Sequence, residues 1–195
     1  MNQRTDTRNI VMAAMFAALT LVATSVLKIS TPAFGYIHVG DTFVILSGII
    51  MGSLLGPFAA GIGAGLADLL GGFAIWAPGT MVIKFLTALV CAKLYCLLTK
   101  NPHQKGGRVI SVIISGIIGE LVMVAGYFFY SILIVALSTG SFSRASLASA
   151  LGVSVAEIPF NLVQGSVSVV LAALLSPAFI RIAHMLQIGT GSPEE

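Results

Sequence analysis

The sequence predicts an all-α integral membrane protein: a bundle of six transmembrane helices with both termini in the cytoplasm. Three observations lead there. Of 195 residues, 57% are hydrophobic and only 9% charged. A soluble domain carries about 25% charged residues, so too little charge remains to cover a globular surface. The mean hydropathy is +1.02. Finally, apolar stretches follow one another with short polar breaks and no long linker, so residues 1–195 are expected to form a single membrane domain, with 1–9 and 187–195 as cytoplasmic ends.

A hydrocarbon core about 30 Å thick takes roughly 20 helical residues. On that measure the spans fall at 10–28, 42–55, 57–73, 79–98, 108–137 and 148–186. The first is too long for a signal-peptide h-region of about 7–15 residues and has no small-x-small cleavage site before further apolar spans, so it is expected to be retained. It carries Ala13, Ala14, Ala17 and Ala18, a smooth patch at four-residue spacing that lets another helix approach closely. The second and third spans are short and nearly continuous, broken at Gly56-Pro57, and are expected to tilt or to sit half-buried in the bundle. Gly48 with Gly52 and Gly61 with Gly65 suit close helix contacts there, and Gly71-Gly72 mark a helix end. The last two spans exceed a vertical crossing, which predicts tilt or extension beyond the membrane.

The charges orient the bundle. Arg4 and Arg8 precede the first span, Lys100, Lys105 and Arg108 surround the fourth connection, and Arg181 lies near the end of the sixth. An even number of spans puts all three groups on one side. The loops 29–40, 74–78 and 138–149 lie opposite, with basic residues there limited chiefly to Lys28 and Arg144. Lys and Arg collect in cytoplasmic loops, so the three loops are expected to face outward. The net charge of +3 is spread thinly, which argues against nucleic acid. Cys91 and Cys96 are five apart in one apolar run, about 140° around a helix, and read as small apolar filler.

No Walker-type phosphate loop is present, so any ATP is hydrolysed elsewhere. There is no HExxH motif or cysteine cluster for a metal, and no GxSxG elbow. The chain is therefore expected to be neither an enzyme nor a holder of metal or cofactor.

Four ionisable residues fall at membrane depth: Asp68, Lys84, Glu120 and Glu157. Each costs roughly 2.5–3.5 kcal/mol on insertion scales and calls for a partner or a task. Asp68 and Lys84 sit on neighbouring spans and suit an internal ion pair. Glu157, Asn161, Gln164 and Ser168 follow i, i+4, i+7, i+11, a polar stripe on one helix face. Glu120, Tyr127 and Ser131 share a face of the fifth span. Two polar stripes, each with an acid, are expected to face each other across a ligand cavity. Pro159 frees a backbone carbonyl near Glu157, which is tolerated only beside a cavity or protein. In the outer loops, Tyr36 and Trp76 read either as interfacial belt residues or as a cover for an aromatic ligand. His38 reads as a lid or solvent-facing residue, and Asp41 before Thr42 as an N-cap.

The doubled AxxxA, the segment HVGDTFVILSGIIMGSLLGP, the run GAGLADLLGG followed by PGTMVIK, and the closing EIPFNLVQG together make the chain resemble the substrate-binding S component of an energy-coupling factor (ECF) vitamin transporter. It looks most like the subgroup with a riboflavin-transporter-type label, which includes proteins for pyridoxine-like and hydroxymethylpyrimidine-like substrates. The resemblance spans residues 8–181. It implies a six-helix bundle in a prokaryotic plasma membrane, and a pocket near the outer face roofed by the outer loops. It also implies docking of Ala13, Ala14, Ala17 and Ala18 on a membrane T component that works with two ATPases. On this reading Glu157, Asn161 and Gln164 are polar ligands, with Glu120 and Tyr127 opposite and Lys84 a further contact. Trp76, Tyr36 and His38 close the lid. The other reading is a stand-alone carrier driven by an ion gradient, with Asp68, Glu120 or Glu157 carrying protons.

Overall fold

The computed structural model describes residues 3–31, 36–52, 54–99, 108–138 and 143–186, with side chains from residue 7 onward. Among these residues six helices make up the bundle: α1 (Gln3–Val26), α2 (Asp41–Met51), α3 (Leu55–Leu70), α4 (Ala77–Leu98), α5 (Arg108–Ser138) and α6 (Arg144–Met185). Two three-residue strands, β1 (Lys28–Ser30) and β2 (Tyr36–His38), pair antiparallel between α1 and α2, with Lys28 opposite His38 and Ser30 opposite Tyr36. The loop expected at 29–40 therefore carries a small hairpin ladder.

The bundle is inverted relative to a water-soluble one. Leu70, Phe129 and Leu174 are largely exposed, whereas Asp41, Lys84 and Thr87 are fully buried. A continuous apolar exterior of this kind belongs in lipid. Helices α1, α4, α5 and α6 are long and apolar enough to cross a membrane; α2 and α3 are shorter apolar helices. At 1.5 Å per residue α2 is only about 16 Å long, and all its residues except Phe43 are buried.

Small residues permit this packing. A Cβ on Gly48 would strike the Ala88 carbonyl of α4, and one on Gly63 would strike the Ala17 carbonyl of α1. So α3 is clasped between α1 and α4, and α2 lies against α4 and α6. Gly52 does something other than pack: it ends α2 in the left-handed region at φ 56°, where a Cβ is disfavoured. Gly72, at φ 83°, likewise follows the end of α3.

The alanine patch divides. Ala13 and Ala17 are partly buried against the core, while Ala14 and Ala18 face outward. Helix α6 begins at Arg144, capped by the Ser143 hydroxyl, so the last connection is shorter than the loop expected at 138–149. Pro159 and Pro177 lie within the 42 residues of α6. That length is about 63 Å, twice the hydrocarbon core. Arg8 Nη1 reaches the Leu186 carbonyl at 3.4 Å, joining the start of the bundle to its end. Lys100, Lys105 and the 187–195 tail lie outside the described residues.

Candidate functional site

At the hairpin end of the bundle the helices part around a cavity of about 510 Å³, its open mouth included. Helix α6 supplies Glu157, Asn161 and Gln164 to its wall, α5 supplies Tyr127 and Ser131, and α3 and α4 supply Asp68 and Thr80. The hairpin contributes Tyr36 and His38, and the α3–α4 connection contributes Phe73 and Trp76. The spacing that predicts a polar stripe on α6 puts Glu157, Asn161 and Gln164 on one face, and the cavity is where that face ends up.

The hairpin is tied to the wall by its side chains. Thr31 Oγ1 donates to Glu157 Oε1 at 2.6 Å, and the Tyr36 hydroxyl donates to Asp68 Oδ1. The Lys28 ammonium lies 4.5 Å from the centre of the Tyr36 ring and 5.5 Å from that of Phe73. Burial and the hydrogen bond to Asp68 hold the Tyr36 phenol protonated, well above its ordinary pKa. Opposite, Tyr127 Oη donates to Thr80 Oγ1 at 3.2 Å, and Tyr130 Oη donates to the Ile75 carbonyl at 2.9 Å, with Trp76 edge-on to the Tyr130 ring. The Tyr130 ring covers Gly79, where a Cβ would collide with it.

Beneath the cavity lies a closed ionic floor. Lys84 Nζ pairs with Asp41 Oδ1 at 2.6 Å, both side chains fully buried. Asp41 Oδ2 accepts from Gln164 Nε2 at 2.6 Å, and Gln164 Oε1 accepts from the His38 backbone N–H at 3.0 Å. Lys84 also sits 5.0 Å from the centre of the Tyr127 ring.

These contacts correct three expectations. Lys84 pairs with Asp41 rather than Asp68, because one turn along α4 from Thr80 carries it below the level at which Asp68 faces the cavity. Asp41 does not cap α2: the N-cap is Gly40, with no side-chain cap bond, since the carboxylate is turned inward to Lys84. Lys84 itself is absent from the cavity wall.

Glu120 is likewise apart from the cavity. Seven residues from Tyr127, it lies on nearly the same face but about 10 Å further along the axis. There it is 5% exposed, packed against α6 where Gly165 makes room for its carboxyl, and neither oxygen has a hydrogen-bond partner among the described residues. It borders a groove between α5 and α6 lined by Ile117, Leu121 and Val169. The wall residues that sequence reasoning passed over are Phe73 and Thr80, and Asp68 reads from sequence as a partner for Lys84 or a proton carrier. The available signal was the four-residue step from Thr80 to Lys84, which marks the inward face of α4.

Comparison with known proteins places this arrangement. The family model described as "ECF-type riboflavin transporter, S component" matches residues 4–181. The chain belongs to that family. A solved S component of a bacterial ECF transporter superimposes on this one with a TM-score of 0.60, at 19% identity, over 93% of this chain and 99% of that one; the two share a fold. A Pyrococcus woesei protein described as "Uncharacterized protein in gap 3'region" is 33% identical over 107 residues, which is 54% of this S component and 66% of the relative, just under two thirds of its length.

Proposed function

We propose that this S component is the membrane-embedded substrate-binding subunit of an ATP-driven ECF importer, and that its substrate is a small water-soluble vitamin or precursor of the pyridoxine or hydroxymethylpyrimidine kind. The observation that carries the substrate class is the charge of the cavity wall, which among the described residues has two carboxylates, Asp68 and Glu157, and no lysine or arginine. An ionised carboxyl offers about four acceptor sites, so the hairpin's bonds leave each acid able to accept more. Amino and hydroxymethyl donors on a heteroaromatic ring suit those acids, and Tyr36, Phe73 and Trp76 supply the aromatic surface to cover the ring. Gln164, with both ends of its amide engaged, acts by holding His38 and Asp41 in place.

The remaining expectations join this reading. All six helices cross a prokaryotic plasma membrane with both termini cytoplasmic, and two ATPases work through a T component. Ala14 and Ala18, the outward half of the alanine patch, form its docking face, with Ala13 and Ala17 holding α1 against the bundle behind it. The test is copurification: the T component and both ATPases should come down with the full chain, and an Ala14→Trp change should prevent it.

Glu157→Ala should weaken binding of the substrate roughly 100-fold or more, the scale of a charge-assisted hydrogen bond lost in a dry site, while leaving the bundle folded. Unchanged affinity by calorimetry would sink the site. One observation favours a second reading: the unpartnered, buried Glu120 suits a proton carrier in a stand-alone transporter. That reading requires uptake into vesicles without ATPases, abolished when the proton gradient collapses.

A further inference from the structure

The hairpin fixes one hydrogen-bonding group of the cavity more tightly than the rest. The Gly40 backbone N–H donates to His38 Nδ1 at 3.0 Å. A ring nitrogen that accepts carries no proton, so the neutral imidazole holds its proton on Nε2. The His38 main chain is tied by its N–H to Gln164 Oε1 and by strand pairing opposite Lys28. Gly40 is pressed against α1, where a Cβ would strike the Thr24 hydroxyl, so the donating amide cannot drift. Nε2 has no partner among the described residues, and His38 lines the cavity.

Three charges face the ring: Asp41, Lys84 and Lys28. Burial outweighs the attraction of Asp41, the two lysines add to it, and the pKa falls to about 4. The ring is therefore neutral throughout the working range. The other side chains of the wall are less definite. Tyr127 and Ser131 spend their hydroxyl protons on Thr80 and on the Tyr127 carbonyl, and the Asn161 amide can present either end.

We propose that His38 is the specificity-determining residue of the cavity, its Nε2–H donating to an acceptor nitrogen in the ring of a bound heteroaromatic amine while the acids take the amino and hydroxyl donors. This rests on the substrate class proposed above. The ligand edge it selects combines a ring acceptor with exocyclic donors, as in an aminopyrimidine.

The test is a cycle of two proteins and two probes, read by calorimetry on the full chain in nanodiscs. The proteins are wild type and His38→Leu. The probes are a hydroxymethyl-aminopyrimidine and its aminopyridine analogue, in which the ring nitrogen next to the amino-bearing carbon is CH. Loss of that nitrogen should weaken binding to wild type about tenfold, one hydrogen bond's worth, and to His38→Leu less than about twofold. Equal penalties in the two proteins overturn the proposal while leaving the substrate reading intact. A wild type that binds neither probe overturns the substrate reading and the proposal with it. Should His38→Leu fail to fold, nitrogen NMR of histidine-labelled protein, with His103 and His184 changed to Gln, decides instead. The expected signal is a neutral ring protonated on Nε2 at pH 7, shifting when the aminopyrimidine is added but not when its analogue is. An imidazolium, a proton on Nδ1, or equal shifts with both probes overturns it.

Discussion

The floor of the cavity and its wall use the same chemistry to opposite ends. In the floor, Asp41 meets Lys84 at 2.6 Å and Gln164 at 2.6 Å, and all three are buried. In the wall, Glu157 and Asp68 form no ion pair among the described residues; their partners include Thr31 and Tyr36, hydroxyls of the segments flanking the hairpin turn. A carboxylate matched by a fixed ammonium holds helices together. A carboxylate met by hydroxyls keeps capacity for a ligand, and the hydroxyls of the hairpin segment let that segment sense whether one is present. What separates structure from site here is the identity of the partner, since the acids alone look alike.

The largest way to break this contrast is at the floor. Lys84→Met leaves Asp41 buried without its counter-charge, a change that costs about 3–5 kcal/mol. It should lower the melting temperature in detergent by many degrees, and Asp41→Leu in the same chain should recover part of the loss. A Lys84→Met protein as stable as wild type would show that the pair does not hold α2 to α4. The corresponding change in the wall, Glu157→Ala, should fall on binding and hardly on melting.

A smaller effect joins the two regions through His38, which touches both. Its pKa is about 4 in the fold and 6.5 for the free side chain. Between those values the unfolded chain takes up a proton that the folded chain does not, so stability should fall as the pH drops from 6.5 toward 4 and stay level above 6.5. The His38 contribution is at most on the order of 3 kcal/mol. Thermal melts across that range, on wild type and His38→Gln, isolate it: the wild-type slope should be the steeper, and parallel curves would refute the buried neutral ring.

The bundle was largely legible because its elements are written in hydropathy, and the boundaries of α4 and α5 fall within two residues of where apolar runs begin and end. The α6 stripe was legible for the same reason: a period of 3.6 survives any tertiary context. The partners of the charges were not. Asp68 and Asp41 are both acids near Lys84 in sequence order or in space, and nothing local distinguishes them; the choice is made when α2, buried along nearly all its length, is drawn into the centre with its first turn beneath the hairpin. Glu120 misled for a related reason. Helical periodicity gives the angle around an axis but not whether two residues a turn or two apart open onto the same space. The hairpin left only a faint trace, because three-residue strands have too few positions for alternation to register.

The smallest predicted effect tests the wall where the hairpin meets Asp68. Tyr36→Phe keeps the ring under Lys28 and beside Phe73 but deletes the hydroxyl that reaches Asp68. The loss is one hydrogen bond to a carboxylate, about 1–2 kcal/mol, and it falls where the hairpin closes over the cavity. If the hairpin retains the ligand, that energy is spent on holding the closed state, so the off-rate of bound ligand should rise about tenfold with little change in on-rate. If Tyr36 merely steadies the fold, melting will drop and ligand kinetics will not change. Thr31→Val makes the same cut at Glu157 and should act in the same direction. An off-rate unaffected by both would place the hairpin with the floor, as structure, and remove the contrast between the two regions.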